Sequence, residues 1–321
     1  MKAEKIIKTR QLEWAKRKGL GLNEKEKYSY YCKNIDCNIY GGLNEDVRKQ
    51  FEKGSGNELN DEIWPAKMEA LFSSSALCVN VFQYFAIGNK NNVLDFLKAC
   101  KLISNNYQGD VIPVDFEYEN KKIQVPIRFE EKFETGIPYG VPNIDAVIRT
   151  KSKTGKKQLF AFESKFTEPY SSHGGNFLKE EYCKIENRSK RENKLIKGLY
   201  EALDIADENT KNDENNNDKG RYIFDYKYLD GAQLIKHILG ITNNLDENDK
   251  TEITLVYLWY DALGADGAAH RNEIEDFRNK VESCTSIKVR HITYQEIICN
   301  LCKRLVDSHR DYLNYITERY L

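Results

Sequence analysis

NIDAVIRTKSKTGKKQLFAFESKF, residues 143–166, holds two runs of alternating side chains separated by a polar turn around Thr154 and Gly155. Each run has the length of an ordinary strand, so the stretch reads as a β-hairpin. In its second strand Glu163 and Lys165 are two residues apart and share a face, while Phe160, Phe162 and Phe166 take the other. The phenylalanine face is expected to bury against helices. The opposite face then carries two charges, which are costly on a largely buried element unless they have a task.

Outward from the hairpin, the chain alternates between helical and strand patterns. Residues 1–60 mix charged helical pattern with a Gly-containing stretch and read as an N-terminal helical arm. From Trp64 the character changes. WPAKMEALFSSSALCVNVFQYFAI, residues 64–87, has Pro at the start of a helical pattern and Met68, Leu71, Phe72 and Leu77 at near-helical spacing, so it is expected as one core-packed helix, followed by another in NNVLDFLKAC. VIPVDFEYENKKIQVPIRFEEKF, residues 111–133, has two β-rich runs around a turn at Glu119–Lys122. After the hairpin at 143–166 come the loop EPYSSHGGN, a basic helical region, and DENTKNDENNNDKG at 207–220, an exposed mobile loop by composition. GAQLIKHILGITNNL then reads as a helix, TEITLVYLWYDAL as a strand, RNEIEDFRNKVESC as a helix, and SIKVRHITYQEIICNLCKRL as a strand entering a helix. This order predicts an α/β protein with a central mixed β-sheet flanked by helices, its main domain spanning 61–321.

Composition narrows the function. A chain of 321 residues with 40% hydrophobic and 31% charged residues buries a full core and is not globally disordered. No run approaches the roughly 18 apolar residues of a membrane helix, and the first twenty residues are charged throughout, so a soluble, cytoplasmic protein is expected. Eight cysteines without dense spacing read as reduced thiols; Cys32, Cys37, Cys299 and Cys302 read as ordinary thiols rather than a zinc site. There is no GxxxxGK[ST] loop and no GxSxG elbow, so no nucleotide cofactor is expected. A net charge of −1 lends no global support to nucleic-acid binding. One local patch does, in which Lys184, Arg188, Lys190, Arg191 and Lys194, with Lys179 and Lys197, outnumber Glu180, Glu181, Glu186 and Glu192; a solvated helix with i,i+4 pairs is the competing explanation.

The residues of the hairpin suit phosphodiester hydrolysis. That reaction needs a divalent metal held by carboxylates, an activated water, and positive charge near the phosphate. Asp145, on the first strand, returns to the neighbourhood of Glu163 across the turn, and the two carboxylates suit Mg²⁺, or Mn²⁺, with water completing the shell. Lys165 would orient or help deprotonate the attacking water. The spacing alone is weak, because Glu119–Lys121, Glu130–Lys132, Glu192–Lys194 and Asp225–Lys227 repeat it. Glu163–Lys165 is the pair embedded in an apolar strand.

The run PNIDAVIRTKSKTGKKQLFAFESKFTEPY resembles the catalytic hairpin of the PD-(D/E)xK, restriction-endonuclease-like nucleases, with Asp145 as the family's Asp and Glu163-Ser164-Lys165 as its ExK. The likeness extends over about residues 64–300, to a branch of standalone restriction-like endonucleases. Pro142 stands three residues before Asp145, with Ile144 in the adjacent place, so Asp145 and the ExK carry the motif alone. The resemblance implies Glu69 as a helical metal ligand, with a solvent-facing Glu as the alternative. It also implies Gln233 as the polar residue on the helix after the ExK strand that reaches metal-bound water or phosphate, with a surface Gln as the alternative. His237, one turn later, reads as a core or partner-satisfied histidine; neither Glu168 nor His173, in the loop after the strand, is singled out. The function implied is Mg²⁺-dependent DNA endonuclease activity in restriction or foreign-DNA defence. A homodimer is the natural form for cutting both strands. A repair or RNA-processing nuclease, or a silent nucleic-acid-binding module, are the alternatives on the same fold.

Overall fold

The computed structural model describes residues 2–54, 56–60, 65–88, 90–135, 141–171, 176–183, 198–200, 211–212, 219–245 and 250–321. The elements in chain order are α1 (Ala3–Arg17), α2 (Ile35–Asn38), α3 (Glu45–Lys53), α4 (Ser74–Ala86), α5 (Lys90–Ala99), β1 (Gly109–Val111), β2 (Val114–Tyr118), β3 (Lys121–Val125), β4 (Arg128–Lys132), β5 (Asn143–Ser152), β6 (Lys157–Lys165), β7 (Phe177–Lys179), α6 (Glu180–Cys183), β8 (Lys211–Asn212), β9 (Lys219–Tyr222), α7 (Gly231–Asn243), β10 (Glu252–Trp259), α8 (Gly264–Cys284), β11 (Lys288–Thr293), α9 (Tyr294–Leu305) and α10 (Arg310–Tyr320).

The six-stranded main sheet runs β1-β5-β6-β10-β11, with β4 pairing the other half of β5's free edge. β4, β5 and β6 form an antiparallel meander, whereas β6, β10 and β11 are parallel, which requires crossovers. α7 and α8 supply them. The sheet is thus mixed and flanked by helices, as the alternating patterns predict. Gly155, at φ +86, turns the β5–β6 hairpin where the sequence places the turn. Glu119 and Asn120, both at positive φ, turn the β2–β3 hairpin.

The period-2 pattern of β6 sorts the two layers. Phe160, Phe162 and Phe166 join Ala146, Ile148, Val256 and Leu258 in a cluster with Val79 and Phe82 of α4, Phe96 of α5, Ile297 of α9 and Ile316 of α10. Leu159 and Ala161 face the other way, into a cluster with Leu234, Ile238 and Ile241 of α7 and Ile274, Phe277 and Val281 of α8. The strand that carries Glu163 and Lys165 is therefore held on both sides.

Two expectations change, and a third falls mostly on residues outside the described ones. Residues 1–60 are helical but do not stand off from the body: Ala3, Ile7, Ile35, Val47 and Phe51 belong to the first cluster. The segment 64–87 is not one helix. A 3₁₀ turn at Lys67–Glu69 precedes α4, whose start is set by the Ser73 side chain accepting a hydrogen bond from the Ala76 N–H. Glu69 thus sits on that turn and not on the first core helix. Within 207–220, residues 211–212 and 219–220 pair as strands and the rest lie outside the described residues. No helix among the described residues is long and apolar enough to cross a membrane.

Candidate active site

β6 ends its ladder with Glu163 and Lys165 facing α7, and α7 answers with Gln233 and His237, one turn apart. Four residues of helix rise about 6 Å and two residues of strand about 6.6 Å, so the two pairs match in spacing. Lys165 Nζ lies 2.6 Å from Glu163 Oε1 and donates to Gln233 Oε1 at 2.9 Å. His237 Nε2 lies 2.8 Å from Glu163 Oε2. Both side chains are buried, and this ion-pair contact helps to hold the Glu163 carboxyl down.

Asp145 meets β6 from the neighbouring strand. The last paired residues of the hairpin are Ala146 and Phe162, and one step beyond them the half-buried Asp145 carboxylate takes over from the backbone: the Ser164 N–H donates to its Oδ2 at 2.6 Å. From behind, the Ser164 hydroxyl lies 2.5 Å from the Tyr294 hydroxyl at the start of α9. The strand end is thereby anchored on both faces.

A third acid stands on the far side of Asp145. The β4–β5 ladder pairs Phe129 with Ala146 and Glu131 with Ile144, which puts Glu130 opposite Asp145. Glu130 is at φ +49 in mid-strand and only 5% exposed, and its Oε2 accepts from Asn143 Nδ2 at 2.8 Å. A non-glycine residue there is strained, and such strain clusters at functional sites. Gly54 and Gly56 make the room for it; a Cβ on Gly54 would stand 3.1 Å from Glu130 Oε2.

The electrostatics follow from this crowding. Burial, Glu163 and Glu130 together push the Asp145 carboxyl well above the usual carboxylate range, against Lys165 and the Ser164 N–H. Burial would also raise Glu163, but Lys165 and His237 hold it down to about 2. Glu130 is pushed up to about 7 by burial and by the charges of Glu58 and Glu163, despite Asn143. Burial would lower the Lys165 ammonium, yet Glu163, Asp145 and Glu168 more than offset it and raise it above the usual lysine range.

The structure therefore brings together Asp145, Glu163, Lys165 and Gln233, and adds His237 and Glu130. Glu69 is buried on the 3₁₀ turn before α4, where its charge acts on the Cys32 thiol. Lys184, Arg188, Lys190, Arg191, Lys194 and His173 lie outside the described residues. Glu168 caps the turn after β6, accepting from the Phe166 N–H at 2.9 Å. Among the described residues no three His, Cys, Asp or Glu side chains form a ready-made metal cage. The donor chemistry still fits a hard divalent ion that keeps several waters, for the Asp145 and Glu163 carboxylates, on adjacent strands, each feel the other's charge, and Glu130 adds to it.

Fold and side chains together define an α/β protein with a carboxylate–lysine centre at the end of the middle strands of a mixed sheet. The chain belongs to the family described as restriction endonuclease associating with ARP, whose model matches residues 2–321. That description is of a nuclease, and the mixed sheet is compatible with a restriction-endonuclease-like core. No curated protein and no solved structure matches the chain.

Proposed function

We propose that this chain is a Mg²⁺-dependent endonuclease of the PD-(D/E)xK type that hydrolyses DNA phosphodiester bonds in the restriction of foreign DNA. The observation that carries the reading is Lys165 Nζ, gripped between Glu163 Oε1 and Gln233 Oε1 beside Asp145, in a chain whose family is described as restriction endonucleases. Asp145 and Glu163 would hold the ion. Bound there, Mg²⁺ or Mn²⁺ supplies Lewis-acid polarisation of the phosphate and a more acidic water.

The chain's own side chains do the rest. Lys165 Nζ is held between Glu163 Oε1 and Gln233 Oε1, so it serves as a positive contact for the phosphate and a donor that orients the attacking water. Gln233 fixes where that ammonium points. Because one chain carries one such centre, cutting a duplex on both strands favours a two-fold dimer.

Plasmid DNA incubated with the protein should be cut in Mg²⁺ and left whole in EDTA. Asp145→Ala and Glu163→Ala should each abolish cutting; Asp145→Ala removes a carboxyl that burial and its acidic neighbours disfavour, whereas Glu163→Ala leaves Lys165 without its carboxylate and should also lower stability. Undiminished cutting by either folded variant would remove that residue from the centre.

A further inference from the structure

We infer that Leu263 is a wedge that enters the base stack of duplex DNA beside the phosphate cut at the Lys165 centre, which makes it a specificity-determining residue. The inference rests on the reading of that centre as a DNA nuclease. It starts from a side chain that neither its surroundings nor its backbone favour. Leu263 is 66% exposed, the most of any large apolar side chain among the described residues. Its backbone, at φ +61 and ψ 176, lies in a region populated almost wholly by glycine. The other described non-glycine residues at positive φ are Asn, Lys or Glu. Exposure contributes nothing to folding and strain opposes it, so a glycine would serve this turn better than a leucine.

The strain is held by a rigid support. The Leu263 N–H donates to Asp261 Oδ1 at 2.8 Å, and Arg271 donates to Asp261 Oδ2 at 3.0 Å. Gln295 of α9 fixes Asp261 in turn, accepting from its N–H at 3.2 Å and donating to its carbonyl at 2.9 Å. The Ala262 N–H donates to the Tyr170 hydroxyl at 3.1 Å, and a Cβ on Gly267 would stand 2.1 Å from Asp261 Oδ1. The leucine is therefore presented on a turn that cannot fold back, as parting two stacked bases requires.

That turn lies at the reacting end of the sheet. Trp259, the last residue of β10, pairs with Lys165, and the Tyr260 N–H donates to the Lys165 carbonyl at 2.9 Å. The chain then enters α8, which packs with α7 on the layer that Lys165 faces. Tyr228, just before α7, donates to Asp266 Oδ1 in the first turn of α8 at 2.7 Å. From Tyr260 to Leu263 the backbone spans at most about 11 Å, the length of about three stacked base pairs at about 3.4 Å each. The tip residues 262–265, Ala-Leu-Gly-Ala, carry no charge for a phosphate and are too slight for a protein partner, whose interface takes about 20–30 residues. A slim apolar point matches the gap opened between two base pairs, where leucine is among the side chains that unstack a step. Opening is easiest at pyrimidine–purine steps, so the wedge favours cut sites with TA or CA within about three base pairs.

The test compares wild type, Leu263→Gly and Leu263→Phe in two assays on one plasmid: cleavage in Mg²⁺, and linking number after the bound circle is relaxed in Ca²⁺ by a metal-independent topoisomerase. Glycine suits the backbone at this position, so Leu263→Gly should keep the fold and melt no lower than wild type. Wild type and Leu263→Phe should leave negatively supercoiled circles once the protein is stripped off, because an inserted side chain unwinds the step. Leu263→Gly should leave the circles relaxed and cut about tenfold or more slowly, the loss of one well-placed contact. Wild type that cuts but leaves the linking number unchanged, or a Leu263→Gly protein that unwinds and cuts like wild type, overturns the wedge and leaves the nuclease reading standing. A Leu263→Gly protein that sediments as a smaller species, with linking number equal to that of wild type, assigns the leucine to a contact between copies and also overturns the wedge. No cutting by wild type in Mg²⁺ overturns the nuclease reading and the wedge with it.

Discussion

Glu130 and Lys165 show how the same buried surroundings act in opposite senses on acid and base. Glu130 gains no cation close enough to offset its burial, so its carboxyl rises from 4.5 to about 7. The sign of the stability effect follows. With the folded value above the unfolded one, the favourable contribution is fully present below about pH 4.5 and is lost as pH rises through 7. Glu130→Gln keeps an acceptor for Asn143 and removes the charge. It should stabilise the protein by up to about 3 kcal/mol at pH 8, since each tenfold change in proton affinity is worth about 1.4 kcal/mol, and leave stability near wild type at pH 4. Urea unfolding of both proteins at the two pH values measures this; a variant less stable than wild type at pH 8 refutes the electrostatic account. Lys165 is the reverse case. Its proton is held by Glu163, Asp145 and Glu168, so its worth is in placing charge. Lys165→Ala should lose cleavage by about a hundredfold or more while DNA affinity in Ca²⁺ changes little, because phosphate binding is spread over many contacts. Lys165→Arg should not restore it, since a longer planar guanidinium cannot sit between Glu163 Oε1 and Gln233 Oε1. Cleavage by the Arg variant near the wild-type rate would show that charge without shape is enough.

Elements position these residues, and those with strong local patterns are legible in the sequence. Alternation in 143–166 gives β5, β6 and the turn at Gly155, because period-2 burial is written directly into the order of side chains. The apolar stripe of α7 likewise predicts Leu234, Ile238 and Ile241 against the sheet. Glu130 is not legible. Nothing in RFEEK marks its first Glu as left-handed, since that conformation is imposed by the loop at Gly54–Gly56 and by the register with Asp145. The beginning of α4 is ambiguous in sequence because Pro65 is a start signal too, and only the Ser73 cap shows which of the two operates. His237 reads as a core histidine from a sequence that shows its apolar neighbours but not the strand it faces. The fit of α7 to β6 yields a prediction of its own. Gly240→Ala improves helix propensity by about 1 kcal/mol, but the new Cβ collides with Phe133 backbone at 2.7 Å, and forced overpacking costs about 1–3 kcal/mol. The net loss should lower the melting temperature by a few degrees, and by lifting α7 it should weaken the grip of Gln233 on Lys165. Calorimetry and cleavage assays on the folded variant check both; a higher melting temperature would mean that the helix shifts freely.

At the scale of the molecule, the question is whether residues 1–60 are an appendage or part of the fold that supports the centre. Composition suggests an arm, because the charged residues of 1–20 dominate the reading. Long-range contacts decide otherwise, and the clearest is at Arg319. Its guanidinium is 4% exposed and has neutral partners: it donates to Gln11 Oε1 at 3.2 Å, to the Asn38 carbonyl at 2.7 Å, to Asn38 Oδ1 at 2.5 Å and to the Tyr315 hydroxyl at 2.6 Å, and it lies over the Trp14 ring. Asn38 in turn donates to the carbonyls of Met68 and Ala70, and Asn80 of α4 donates to the Asn38 carbonyl and to the Tyr320 hydroxyl. One network thus joins α1, α2, the turn before α4, α4 itself and α10, and α4 is the helix packed behind Phe162 on the back of the ExK strand. Arg319→Leu leaves several buried acceptors without donors and should destabilise by about 3–5 kcal/mol, the range for removing one partner of a buried charged group. Arg319→Lys should recover only part of this, as one ammonium cannot reach partners spread over a fork. For the same reason a chain begun at residue 61 should fail to unfold in a single cooperative transition, because it lacks Gln11, Trp14, Asn38 and the apolar side chains of α1 and α3. Thermal unfolding of these variants, followed by circular dichroism, provides the check: an Arg319→Leu protein as stable as wild type, or a cooperative and ion-binding 61–321 chain, would show that the first sixty residues are an arm after all.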